Sequence, residues 1–272
     1  MVQCNITRED PKIVTPGPAG RRRTLSEPPA ARPRVVAVPD NSHLGDWCDL
    51  RGLHLPEGLD PAALLELDAV FSTPYGVKKR EVLYRAATPF ASLYVIRLGT
   101  FKTVMLAEDG REQIVGYQMA GDILGLDGIG NDQHTCEAVA LEDSEICALP
   151  FEKLDELAGR EPALRRNLYR LISRRLNRGR ELMVLLGSMS AEQRLAAFLL
   201  DLAERFRRAG YSASEFVLRM TRDEIASFLG LKLETVSRTF SRLHAEGLIQ
   251  VQGRAVKLLD AAALRRAAGQ SG

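Results

Sequence analysis

The 272-residue sequence has one tryptophan, four cysteines and no apolar run near the roughly 18 residues that a membrane-spanning helix needs. A membrane protein is therefore not expected. The arginines of RRRTLSEPPAARPR near the N-terminus are not followed by the apolar segment of a secretory or twin-arginine signal, so a cytoplasmic location is predicted. Cys4, Cys48, Cys136 and Cys147 are far apart, which in that compartment reads as thiols or ligands rather than a disulfide framework. A nucleophile-base-acid set, a phosphate loop and metal-ligand spacing are also missing, so the sequence does not read as an enzyme. Nor is there a strong charge of one sign. The net charge of +2 says nothing by itself about nucleic acid, although arginines cluster at Arg165, Arg166, Arg170, Arg174, Arg175 and Arg178. Taken alone, that cluster reads as the solvated face of a helix.

Four segments can be distinguished. Residues 1–45 carry proline and arginine without sustained periodicity and predict a disordered extension. Residues 46–157 contain short β-rich runs such as LYVIRLG, TFKTVML and EICALP, cut by glycine turns, which predict a β-roll. Residues 158–188 place Leu164, Leu168, Ile172, Leu176, Met183 and Leu186 mostly three, four or seven apart, one stripe along a long helix. So narrow a stripe on a helix linking two domains predicts a short coiled coil with a second copy, through Leu168, Ile172, Leu176, Met183 and Leu186. Gly179 falls on the same seam.

Residues 189–272 carry the most specific signal, MTRDEIASFLGLKLETVSRTFSRLHAEGLIQVQGRAVKLLD. Thr221 and Glu224 form a T-x-x-E capping box that starts one helix, Gly230 supplies the turn that ends it, and a second helix begins near Leu233. On the second helix Val236, Phe240 and Leu243 form a buried side, whereas Glu234, Ser237, Arg238 and Ser241 lie on another. Arginine can bond guanine in bidentate fashion, glutamate can accept from the cytosine amino group, and serine can do either, so this side suits base edges in a major groove. Thr221, Arg222, Lys232, Thr235 and Arg242 complete the expected DNA-contacting set. Lys232 stands near the N-cap, where serine or threonine is preferred. LIQVQGRAVKL reads as two strands of a wing around Gly253-Arg254.

An α+β chain with a β-roll, a long connecting helix and TRDEIASFLGLKLETVSRTFSRL resembles the CRP/FNR family of bacterial transcription regulators, in particular its FNR branch, from about residue 46 to 260. LYVIRLGTFKT, AGDILGLDGIG, ALPFEKLDEL, AEQRLAAFLLDLAERF and ETVSR carry the likeness. It implies a cyclic-nucleotide-binding-like roll, a dimerisation helix and a winged helix-turn-helix. It also implies a homodimer on double-stranded DNA, an activator contacting RNA polymerase, and a TTGAT-N4-ATCAA-like palindrome read by Glu234, Ser237 and Arg238. Regulation of anaerobic, redox or respiratory genes goes with that branch.

The same resemblance raises the question of a ligand. Nucleotide-responsive relatives hold the ribose with a glutamate and the cyclic phosphate with an Arg-Ser or Arg-Thr pair. Here those positions fall on Leu126 and on His134-Thr135, so cyclic AMP is not expected, because the strongest charge-assisted bonds to its phosphate are gone. The oxygen-sensing branch holds a [4Fe-4S] cluster on three N-terminal cysteines and one in the roll. Cys147 matches the roll ligand, but in DWCDLRGLHLPEG only Cys48 matches, with His54 in the last place. No cofactor is the favoured reading. The alternative is an iron-sulfur cluster on Cys48, His54, Cys147 and Cys136 or Cys4, since histidine replaces cysteine in Rieske centres, or a haem on His134 or His54.

Overall fold

A computed structural model of the chain describes residues 61–106 and 110–270. The expected N-terminal extension, with Cys4, and the stretch carrying Cys48 and His54 lie outside the described residues. Helix α1 (Pro61–Val70) leads into strands β1 (Tyr75–Val77), β2 (Val82–Tyr84), β3 (Ser92–Leu98), β4 (Thr100–Leu106), β5 (Glu112–Met119), β6 (Ile123–Leu124), β7 (Glu137–Ala140) and β8 (Ser144–Pro150). Helices α2 (Phe151–Arg160), α3 (Pro162–Ser188) and α4 (Ala191–Arg208) follow, then β9 (Glu215–Val217), α5 (Arg222–Leu229), α6 (Leu233–Ala245), β10 (Ile249–Gln252), β11 (Ala255–Leu258) and α7 (Ala261–Ala267).

The first eight strands form two antiparallel four-stranded sheets, ordered β1-β8-β3-β6 and β2-β7-β4-β5. Successive side chains on a strand point to opposite faces, and each sheet uses both faces. Inner faces meet in a core of Val77, Ile96, Phe101, Leu124, Ala138 and Ile146. The outer face of the first sheet presents Leu93 and Leu149, which are covered by Leu67 of α1, Leu154 and Leu157 of α2, and Leu164 and Leu168 of α3. The β3–β4 hairpin turns at Gly99, where φ is +95° and an added Cβ would stand 2.9 Å from the Ser144 Cα. Glycine is the residue that tolerates both conditions.

Helix α3 begins at Pro162, four residues later than the periodicity suggests. Residues 158–160 complete α2, Glu161 is extended, and proline occupies the first helical position, where its missing N–H costs nothing. The stripe divides at the second turn. Leu168 was expected on the seam with a second copy, but it is 9% exposed and packs within its own chain alongside Leu164. Farther along, Tyr169, Leu176, Met183 and Val184 are 58–73% exposed, and Leu185 and Leu186 turn partly toward the C-terminal unit.

The C-terminal unit is built on α4, which a Ser190–Gln193 capping box starts and whose Leu195, Phe198, Leu199 and Leu202 are buried. Its wing has a third strand, β9, that sequence patterning did not reveal, in the order β10-β11-β9. Val104, Ile114, Tyr117 and Met119 of the roll belong to the same apolar cluster as these helices, and the Tyr117, Phe198 and Phe228 rings lie 5.1–6.1 Å apart. Polar links cross the same junction. The Ile114 N–H donates to Ser227 Oγ at 3.1 Å, and the Lys102 ammonium meets Glu224 at 2.9 Å. Asp122, after β5, pairs with Arg178 of α3 and Arg205 of α4 while accepting the Met119 N–H.

Candidate nucleic-acid interface

Helix α5 starts where the sequence placed it. Thr221 Oγ1 accepts the Glu224 N–H at 3.1 Å and Glu224 Oε2 accepts the Thr221 N–H at 2.8 Å, so both donors of the capping box are satisfied. Burial disfavours the Glu224 carboxylate, but the Thr221 N–H and the Lys102 ammonium outweigh it and hold the carboxyl below its ordinary range. Gly230 ends the helix at φ +60°. Replacing Thr221 by alanine should cost about 1 kcal/mol of stability, to be read as a lower urea midpoint at unchanged m-value. An unchanged midpoint would mean that Lys102 and Glu224 fix the helix start unaided.

Between the two helices Arg194 is a residue that sequence reading passed over. From α4 its guanidinium donates to the carbonyls of Leu229 (2.9 Å), Leu186 (2.7 Å) and Met189 (3.0 Å), satisfying helix ends that would otherwise lack donors. It thereby ties the end of α3 to the turn of the helix pair.

Helix α6 has one buried side, Val236, Phe240 and Leu243, and one exposed side, Glu234, Ser237, Arg238 and Ser241, at spacings of three and four. Phe240 and Val236 lie against the core shared with α4 and α5, which leaves the first turns of α6 outward. Lys232, the N-cap residue, makes no capping bond and is exposed, and Thr235 is half-buried. Glu234, Ser237 and Arg238 stand clear of the protein surface.

Besides Thr221, held in the capping box, three of the expected contacts are engaged within the chain. Arg222 lies with its Cζ 3.2 Å from the Phe240 ring centroid, its Nη1 is buried, and burial draws its pKa down to about 10. This cation stacks on the helix pair, a geometry worth roughly 1–2 kcal/mol, instead of reaching outward. Arg242 pairs with Glu192 of α4 and with Glu246 at 3.1 Å. The Ser241 hydroxyl donates to the Ser237 carbonyl at 3.2 Å, a local bond that competes with a base contact. Beside the pair, the wing turns at Gly253 (φ +58°), and the exposed Arg254 follows.

Comparison with known proteins agrees with this geometry. The Crp-like helix-turn-helix domain family matches residues 193–267, and the cyclic nucleotide-binding domain family matches residues 76–161. The chain is 42% identical to the anaerobic regulatory protein of Pasteurella multocida, over 82% of this chain and 81% of that one. It is 39% identical to the fumarate and nitrate reduction regulatory protein of Vibrio cholerae, over 91% and 98%. The chain belongs to the CRP/FNR family of transcription regulators, in its FNR-like branch. Among solved structures, FixK2 from Bradyrhizobium japonicum matches at a TM-score of 0.67 and 30% identity, covering 74% of this chain and 98% of that one. This CRP/FNR regulator is thus a DNA-binding protein, with α5 and α6 as its helix-turn-helix.

Leu126 and His134 stand at the two roll positions that the family resemblance assigns to a nucleotide. Leu126 packs toward the apolar cluster under α2, and His134 is 3% exposed, its ring stacked on Tyr84 at 3.7 Å between centroids and against the edge of Phe90. Burial lowers the His134 pKa, although Asp127, 3.7 Å from Nδ1, pulls the other way. The ring named as a haem candidate is thus enclosed between Tyr84 and Phe90.

The cysteines divide likewise. Cys136 lies in the core between the sheets, where burial, and then Asp127, push its thiol up to about 12. Cys147 follows Ile146 on β8 and so points to the opposite face of the first sheet, the face shared with Leu149. Of the expected cluster ligands, Cys136 therefore lies between the two sheets and Cys147 on the outer face of the first. Cys4, Cys48 and His54 lie outside the described residues.

Proposed function

We propose that this regulator acts in the cytoplasm as a homodimer on a TTGAT-N4-ATCAA-like palindrome, with Glu234, Ser237 and Arg238 reading bases and Lys232 meeting a phosphate. The observation that carries this reading is the two-faced α6, whose exposed first turns hold side chains matched to base edges while its other side is locked into the core. Helix α3 supplies the dimer. Its 27 residues extend about 40 Å, and Tyr169, Ile172, Leu176, Gly179, Met183 and Leu186 recur at three and four along one ridge. Relatives named for anaerobic regulation and for fumarate and nitrate reduction support control of anaerobic and respiratory genes. Activation proceeds through contact with RNA polymerase, and the chain works by binding rather than by catalysis.

The regulator operates without an iron cluster, haem or cyclic nucleotide. In the sequence only Cys48 and Cys147 match the cysteine positions of the oxygen-sensing branch, and four thiolates are the usual requirement. Anaerobic purification, an absorption spectrum, iron and sulfide analysis, and operator binding before and after air test both readings together. Operator affinity that exceeds affinity for scrambled DNA by about a thousandfold or more, and that is indifferent to air, is the expected result. Equal affinity for scrambled DNA overturns the palindrome. Stoichiometric iron and sulfide with binding lost in air overturns the cofactor-free state.

A further inference from the structure

The cassette between β6 and β7 holds an anion of its own. Asp127 lies in the 3-10 turn Leu126–Gly128. Its Oδ2 accepts the backbone N–H of Thr135 at 2.8 Å, the N–H of Cys136 at 3.3 Å and the Thr135 hydroxyl at 3.4 Å. Its Oδ1 accepts the Tyr84 hydroxyl at 3.4 Å, and that hydroxyl oxygen in turn accepts the Gly125 N–H at 3.1 Å. Two successive backbone amides and a hydroxyl aimed at one oxygen form a nest for negative charge. Thr135 is the second member of the pair that the family resemblance gives to a cyclic phosphate, and both its donors are already taken.

We propose that Asp127 is the built-in occupant of the cassette's anion site, a carboxylate in the place of a ligand phosphate that holds the roll in its DNA-binding form without a diffusible effector. The donors it satisfies would otherwise face solvent or require an external anion, such as a small carboxylate or phosphate. The cassette also has a rigid path to the helices. Gly125 sits at φ +91°, where a Cβ would meet the Ser92 carbonyl at 2.9 Å, so the turn is pressed against β3. Three residues earlier, Asp122 grips Arg178 of α3 and Arg205 of α4. A change in how the cassette is filled therefore reaches the elements that carry α5 and α6.

The inference rests on the DNA-binding reading, and its test has one readout with DNA and one without. Full-length Asp127→Ala and Asp127→Asn are compared with the parent in sodium formate, acetate or phosphate against chloride at equal ionic strength. Asp127→Ala should lose operator affinity by about tenfold or more, the scale of ordinary coupling between sites. Formate should restore it saturably and should raise the melting temperature of Asp127→Ala but not of the parent. The melting result needs no DNA, so it stands whether or not the palindrome is right. Parent-like affinity of Asp127→Ala, or a folded Asp127→Ala whose affinity and melting ignore all three anions, overturns the proposal. Should Asp127→Ala fail to fold, Asp127→Asn decides, since it keeps the shape without the charge. A weaker operator complex at unchanged melting temperature supports the built-in anion, and parent-like affinity overturns it.

Discussion

Glutamate at both Leu176 and Met183 should yield a folded monomer that has lost the operator. The two side chains are 60% and 73% exposed in the single chain, so their replacement removes no contact that the fold needs. In a dimer the four copies would be buried along one seam, at about 1.5–3 kcal/mol each. The variant instead places four carboxylates in that seam, and one buried unpaired charge is enough to cost several kcal/mol. Without the second recognition helix each chain holds a half-site only, and the affinity for the full palindrome should fall by roughly a thousandfold or more. Light scattering at micromolar concentration and fluorescence anisotropy on a labelled palindrome read the two effects. A variant that remains dimeric would place the interface elsewhere.

Arg238→Ala has the second largest expected effect. Arg238 is exposed on the first turns of α6 and makes no ion pair among the described residues, so its loss should leave the melting temperature unchanged. A bidentate arginine-guanine contact is worth about 1–3 kcal/mol, and a palindrome is read twice, so binding should weaken by roughly thirtyfold or more. The loss should be concentrated at one symmetric base pair, where the variant no longer distinguishes the four bases. Competition with every single-base change in one half-site measures this. Uniform weakening across all sequences would mark Arg238 as a phosphate contact instead.

The parts that were legible in the sequence are those fixed by neighbours in the chain. The T-x-x-E box at Thr221, the left-handed stop at Gly230, the two-faced α6 and the hairpin of the wing each depend on residues within about a turn of one another, and each is present. What could not be read depends on partners distant in sequence. Leu168 has the right spacing for the seam, but whether it faces outward depends on where α2 lies, and α2 takes it. Arg222 and Arg242 have the charge that DNA needs, but Phe240 and Glu192 claim them inside the unit. Cys136 and Cys147 look like partners in a list of thiols and are divided by a sheet. The role of Asp127 also escaped notice, because its donors come from Thr135 and Cys136 on the far side of a turn and from Tyr84 on another strand.

The apolar cluster that runs from β4 and β5 into α4, α5 and α6 bears on how the molecule comes apart. A roll and a helix pair joined by a thin hinge would melt in two steps, and either could be cut out and used alone. Here Tyr117, Phe198 and Phe228 sit ring against ring across the boundary. Separating the halves would wet the faces that each uses as its floor. The DNA reader of this chain is therefore not a detachable cartridge but one side of a common core, and the two halves should denature together.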